Sequence, residues 1–319
     1  MAQHFLLSAK ARTLSLRSIY AGGEDKAYAT FCAIRWHVTD GKPVCPRCGC
    51  LDSYAITTRR KFKCAGCLHQ FSVTSGTIFA SRKMAFVDLL AAICIFTNAV
   101  KGISSLQMAR DLDCQQKTAF VLCHKLREAM AAEVEGETLD DVVEMDGAYF
   151  GGHIRPANKV EDRIDRRLAK HQTGKRRVVV VLRERGGRTL PFVTMSEGEG
   201  VEIAKRVVDR LAVIHADEAS HWDALHAGWL TKRINHSEAY SDGAGCTNQA
   251  ESYFSRLRRM VTGQHHGVSP KHLSQYAHEA AWKEDYRRMD NGALAHRALG
   301  LGLAHGVSRE WKGYWQRAA

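Results

Sequence analysis

Two Cys-x-x-Cys turns, Cys45-Pro-Arg-Cys48 and Cys64-Ala-Gly-Cys67, separated by fifteen residues, leave few choices for what residues 41–74 can become. Each turn presents two thiolates to one metal, and two such turns on adjacent hairpins complete a tetrahedral site. The spacing predicts a zinc ribbon with one structural zinc ion held by Cys45, Cys48, Cys64 and Cys67. Between the turns, Tyr54-Ala-Ile-Thr-Thr-Arg-Arg-Lys-Phe-Lys reads as strand, basic turn and strand. Cys50 and His69 are nearby rival ligands, ranked lower because neither sits in a paired turn. The chain holds ten cysteines. In a chain expected to be soluble and intracellular these stay reduced, so close pairs are metal ligands rather than disulfides. Cys32, Cys94, Cys114, Cys123 and Cys246 lack ligand spacing and read as small core residues.

A chain of 319 residues exceeds a single ribbon many times over and predicts two or three modules, one large enough for chemistry. Lys and Arg number 46 against 34 Asp and Glu, a formal charge of +12, which indicates a polyanionic partner and most commonly nucleic acid. The longest apolar stretch, residues 86–100, contains Asp88 and is too short to span a bilayer, so no membrane partner is expected.

Residues 1–40 read as a helical lead-in. Residues 80–135 read as a helical region resembling a helix-turn-helix, with Ile103, Leu106, Ala109 and Leu112 at helical spacing and Ala119, Leu122 and Leu126 on a second helix. Gln115, Gln116 and Lys117 open that helix, where side chains reach base edges or phosphates. A plain helical hairpin within a larger core fits the apolar pattern equally well. From residue 138 the pattern changes to three strands, a helix over 201–212, a strand over 213–217 and a helix over 247–260. This predicts an α/β domain with a mixed sheet, compatible with an RNase H-like fold, over 138–290, with a C-terminal tail over 291–319.

Asp146 and Asp217 each end a predicted buried strand, where a carboxylate has no structural reason to be. Glu251 lies in the following helix, so the three acids can converge on one end of the sheet. Clustered hard oxygen ligands bind magnesium or manganese, and two such ions activate the attacking oxygen and stabilise the leaving one in phosphoryl transfer. Arg256, Arg258 and Arg259 follow in the same helix, with Arg258 two turns from Glu251 and placed to hold a phosphate. His215 and His221 flank Asp217, but carboxylate oxygens suit such ions better than imidazole.

At these residues the sequence resembles the DDE-type transposases of small bacterial insertion sequences, in the family numbered fifteen-ninety-five, the ISXO-two-like group. The likeness runs over residues 31–288. It rests on Arg35-Trp36, the Cys-Pro-Arg-Cys-Gly turn, Phe71-Ser-Val-Thr-Ser-Gly-Thr-Ile-Phe79, Gly102-Ile-Ser and His124-Lys-Leu-Arg-Glu-Ala-Met130. Further along it rests on Glu144-Met-Asp146-Gly-Ala-Tyr-Phe-Gly-Gly152, His215-Ala-Asp217, Asn248-Gln-Ala-Glu251-Ser-Tyr-Phe-Ser-Arg-Leu-Arg258 and residues 276–288. The family's catalytic positions fall on Asp146, Asp217 and Glu251. The resemblance implies a zinc ribbon and an RNase H-like core with two magnesium (or manganese) ions. It also implies cleavage of double-stranded DNA at the element's terminal inverted repeats and transfer of the freed 3′ hydroxyls into target DNA. A homo-oligomer holding two element ends, in the bacterial cytoplasm and associated with the nucleoid, is expected. The chain departs from many members in having Gly147 where Glu follows the first Asp, arginines where a Lys follows the third acid, and Tyr286 where Asn is usual. The rival readings are a zinc-ribbon DNA-binding regulator with an inactive transposase-derived domain, an RNase H-like nuclease that does not join strands, and covalent nicking by Tyr149.

Overall fold

A computed structural model describes residues 5–151, 157–164, 174, 176–234, 241–242 and 245–317. Gly152 of the Glu144–Gly152 motif, residues 1–4 of the lead-in and 318–319 of the tail lie outside them. The chain divides into two compact units, one of residues 1–133 with 286–319 and one of residues 134–285.

The first unit opens with helix α1 (Leu16–Arg35), started by a reciprocal capping box between Ser15 and Ser18 and kinked at Gly23, whose φ of 69° is left-handed. Three short antiparallel strands follow: β1 (Ser53–Ile56), β2 (Lys61–Cys64) and β3 (Gln70–Phe71). Arg60, in the β1–β2 turn, pairs with Glu24 and Asp25 at 3.1 and 2.6 Å and so ties this sheet to α1. Helix α2 (Phe86–Asn98) is apolar on nearly every side, and it is buried among α1 and the C-terminal helix described below.

Helices α3 (Ser105–Asp111) and α4 (Gln116–Ala132) pack together through Met108, Ala109, Ala119, Leu122 and Leu126. They are joined by a short turn in which Asp113 is left-handed with φ 46°. Residues 291–319, read from sequence as a tail, instead carry helix α8 (Asn291–Ala304), which packs on α1, α2 and α4. Asp290 caps it by accepting the Ala293 N–H at 3.0 Å. Its buried face combines Leu299 and Leu303 with Gly292, Ala295, Ala298 and Gly302, small residues that let neighbouring side chains approach but weaken the apolar stripe that marks an amphipathic helix in a sequence. A four-residue helix, α9 (Tyr314–Arg317), ends the described chain.

The second unit is built on a five-stranded mixed sheet of β4 (Val142–Phe150), β5 (Arg177–Glu184), β6 (Thr189–Thr194), β7 (Val213–Asp217) and β8 (Leu230–Ile234), in the order β6-β5-β4-β7-β8. The first three form an antiparallel meander, and β7 and β8 join in parallel. Val178 to Leu182 of β5 are all fully buried, as expected of a central strand covered on both faces. One face, carrying Val143, Met145, Val180 and Leu182, is covered by α5 (Glu199–Val207) and Trp222. The other, carrying Ala148, Phe150, Val179 and Val181, is covered by α6 (Asn248–Arg258), a π-helical turn over Arg259–Gln264 and α7 (Leu273–Asp285). A two-stranded hairpin of β9 (Ser241–Asp242) and β10 (Gly245–Cys246) precedes α6. Among the described residues no helix is long and apolar enough to cross a membrane.

Candidate functional site

In the first unit the four predicted thiolates come together. Cys45 and Cys67 sulfurs lie 3.6 Å apart and Cys48 and Cys64 sulfurs 3.5 Å apart. A zinc tetrahedron with bonds of about 2.3 Å has edges of roughly 3.8 Å, so the donor set fits that ion. Each turn is followed by a left-handed residue, Gly49 (φ 74°) and Leu68 (φ 60°), which redirects the chain beyond the second thiolate. The Cys67 N–H donates to the Cys64 sulfur at 3.4 Å and favours its thiolate. The rivals are occupied elsewhere: Cys50 donates to the Asp52 carbonyl at 3.6 Å, and the His69 ring stacks on Phe71. Among the described residues these four are the group of potential ligands gathered within 4.8 Å of one another, and the acidic triad is set wider.

The second unit places the three acids on one face of its sheet. Alternation along β4 puts Glu144 and Asp146 on the side covered by α6, and alternation along β7 does the same for His215 and Asp217. The parallel pairing of β4 with β7 includes Glu144 opposite His215, so Asp146 and Asp217 stand two residues further along adjacent strands. Asp146 does not end its strand as the sequence pattern predicts. β4 continues to Phe150 because Gly147 to Phe150 keep pairing with β5, and the point that matters is where the β7 ladder stops.

Burial chiefly raises the Asp146 carboxyl to about 6, with Asp217 and Glu251 adding like charge, while the Gly147 N–H and Arg258 pull the other way. The three carboxylates and Arg258 therefore share one electrostatic neighbourhood.

What delivers Glu251 to it is a residue the sequence reading passed over. Glu144 is fully buried, and its carboxylate accepts the N–H groups of Gln249 and Ala250 at 2.7 and 3.1 Å. These belong to the first turn of α6, whose N-cap residue Thr247 makes no side-chain cap, so a carboxylate from β4 satisfies the free helix N–H groups and complements the helix dipole. Arg185 neutralises Glu144 at 2.9 Å and also donates to His215 Nδ1 at 3.0 Å and to the Cys246 carbonyl at 3.0 Å. Because arginine only donates, Nδ1 of His215 is the acceptor and the ring is neutral; burial and Arg185 depress its pKa accordingly. His215 is thereby part of the scaffold beneath Asp217, and its position does not suit a metal ligand. Arg233 of β8 clamps the chain leaving Asp217, donating to the carbonyls of Asp217 and Ala219 at 2.6 and 2.7 Å.

A fourth carboxylate enters from the β6–α5 loop. A Cβ added to Gly147 would meet the Glu197 side chain at 2.8 Å, so Glu197 fills the space a side chain at position 147 would take. It pairs with His221 Nε2 at 3.1 Å, and the Asp217 and Arg176 charges act on it. The Arg176 guanidinium lies over the ring of Tyr149, 3.9 Å from its centre.

The remaining predicted residues divide. Arg258 at the end of α6 and Arg259 at the start of the π-helical turn are exposed, whereas Arg256 forms a close ion pair with the buried Glu284, which also pairs with Arg183 at 3.1 Å. Gln115, Gln116 and Lys117 are exposed at the start of α4, and Gln116 donates to the Ser105 hydroxyl at 2.8 Å.

A family model described as the ISXO2-like transposase domain matches residues 138–285, nearly the whole second unit, and one described as the transposase zinc-ribbon domain matches residues 22–70. The chain belongs to the ISXO2-like transposase family. Together the two matches take in more than half of this family member, in the order ribbon then transposase domain. No curated protein and no solved structure matches it.

Proposed function

We propose that this chain is an active DNA transposase: a metal-dependent enzyme of RNase H-like fold that cleaves double-stranded DNA at insertion-sequence ends and joins the freed strands to target DNA. The observation that supports the reading best is the cap from Glu144 to α6, which holds the first turn carrying Glu251 against the sheet face that bears Asp146 and Asp217. An antiparallel three-strand meander followed by two parallel strands, in the order β6-β5-β4-β7-β8, supports the RNase H-like assignment.

The donor set suits magnesium or manganese. Three carboxylates share a partly buried neighbourhood in which burial first, and the Asp217 and Glu251 charges second, disfavour an ionised Asp146, a cost that divalent cations would offset. When bound, two such ions supply electrostatic stabilisation of both the attacking and the leaving oxygen. The chain's own residues do the rest. Asp146, Asp217 and Glu251 would hold the ions, and Arg258 offers a cation for a phosphate beside them. Gln115, Gln116, Lys117 and Arg259 bind DNA outside the reacting centre, and the ribbon's zinc holds Cys45, Cys48, Cys64 and Cys67 together as a structural site. A multimer on DNA follows from the need to hold two element ends at once.

The test incubates the full chain and its Asp217→Asn variant with a labelled duplex bearing the DNA ends that flank its gene, a plasmid target and magnesium. Triad-dependent nicking with joined products is the expected result. Cleavage without joining would make the chain a nuclease, and binding without either would make it a regulator.

A further inference from the structure

We propose that the first unit carries a second nucleic-acid site, a basic and aromatic cleft between the start of α4 and the C-terminal turn over residues 311–316, which binds an unpaired nucleotide of a DNA strand. The cleft measures about 760 Å³. Its lining includes Arg82, Lys83, Lys117, Lys125 and Lys312, and no carboxylate is among its described residues. Arg82 also feels the Glu24 charge and Lys125 the Glu128 charge, and the cationic excess that remains in the lining favours an anion.

The wall is aromatic. Trp311 is buried and stacks on His124 with ring centres 4.2 Å apart, which anchors the turn to α4. Trp315, by contrast, keeps 37% of its surface exposed and stands edge-on to Tyr314 at 5.2 Å. Lys117 lies over the Trp315 ring, 5.2 Å from its centre, so a base stacking on that face displaces the lysine toward the strand's phosphate. That combination is what unpaired strands use: lysines track the phosphates while bases stack on the rings. The volume falls within the roughly 300–1,000 Å³ of small-ligand sites, enough for a displaced nucleotide.

The proposal rests on the reading of the chain as a DNA-binding protein and adds that it recognises a strand as well as a duplex. It also gives the C-terminal aromatic turn, for which the sequence offered no role, a function in that recognition.

Zinc-replete full-length protein without magnesium is titrated, by fluorescence anisotropy, into a labelled oligothymidylate of about a dozen nucleotides and into a blunt duplex. The wild type is expected to bind the single strand. Trp315→Ala should weaken that binding by roughly 5- to 100-fold, the range for loss of one stacked base, while leaving duplex affinity within about twofold. Trp315→Phe should restore single-strand binding, and Lys117→Gln should weaken it and flatten its salt dependence. Should Trp315→Ala fail to fold, the Trp315→Phe and Lys117→Gln measurements still decide. Failure of the wild type to bind the single strand, equal binding by Trp315→Ala, or equally strong competition by polyglutamate would overturn the proposal. None of these readouts depends on strand cleavage, so a chain that binds the strand but never joins DNA would contradict the proposed reaction and leave the cleft standing.

Discussion

Glu144 of β4 and Ala250 of α6, 106 residues apart in sequence, are joined by a hydrogen bond from the Ala250 N–H to the Glu144 carboxylate at 3.1 Å. Glu144 is two residues before Asp146 and Ala250 is one residue before Glu251, so this bond couples two members of the acidic triad through the backbone that carries them. Removing a fully buried carboxylate held by two helix N–H groups and Arg185 leaves those donors unpaired, a larger loss than breaking a surface ion pair.

The first prediction concerns that coupling. Glu144→Ala leaves Arg185 without its carboxylate and the first turn of α6 uncapped, and should destabilise the second unit by about 3–5 kcal/mol. Glu144→Gln keeps an acceptor for α6 but loses the charge, and should fall between wild type and Glu144→Ala. Urea unfolding of both variants checks the order; a Glu144→Ala loss below about 1 kcal/mol would mean the cap does not hold the helix.

Gly147 and Glu197 compete for one space. Gly147→Ala puts a methyl group against the Glu197 side chain, an overpacking expected to destabilise by about 1–3 kcal/mol and to break the Glu197–His221 pair. Glu197→Ala should remove that penalty. A double-mutant cycle in thermal unfolding is therefore expected to show coupling of about 0.5–3 kcal/mol, whereas additive effects would show that the two positions do not meet.

Asp285 gives a pH dependence with a defined sign. Burial is the main cause that raises its carboxyl to about 6 from an ordinary 3.8, against hydrogen bonds from the Thr189 N–H and hydroxyl. The folded chain then binds this proton more tightly than the unfolded chain. Stability from this group is therefore present in full below the ordinary value and is lost as pH rises to about 6, a change of ~3 kcal/mol. Asp285→Asn should remove this part of the slope, so its stability relative to wild type rises between pH 4 and 6, as followed by urea unfolding. Parallel pH profiles for the two proteins would contradict the assignment.

Cys45→Ser should abolish zinc binding and unfold the three-stranded sheet of the first unit while the five-stranded sheet survives, since each has its own core. Zinc content by plasma emission spectroscopy and a thermal melt together read both effects. Unchanged zinc would exclude Cys45 as a ligand.

Much of this architecture could be read from local pattern. The ribbon spacing, the strand alternation around Asp146 and Asp217 and the helical periodicity around Glu251 are short-range signals with a physical basis. The network beneath the triad is not short-range: Arg185 lies 41 residues from Glu144 and 61 from Cys246, and nothing in the local pattern at Glu144 distinguishes a helix cap from an ordinary strand acid. Glu197 escaped notice because it sits in a loop, and its meaning depends on the side chain that Gly147 lacks. Helix α8 escaped because four of its six buried residues are glycine or alanine, leaving only Leu299 and Leu303 as an apolar signal.

The central claim is that Asp146, Asp217 and Glu251 make one divalent-metal centre, and manganese binding followed by electron paramagnetic resonance tests it most directly. Full-length wild type is predicted to bind two manganese ions that interact magnetically. Asp146→Asn and Glu251→Gln should each lose that signal while retaining one zinc and a cooperative melt. Identical manganese stoichiometry and spectra in wild type and both variants would contradict the account.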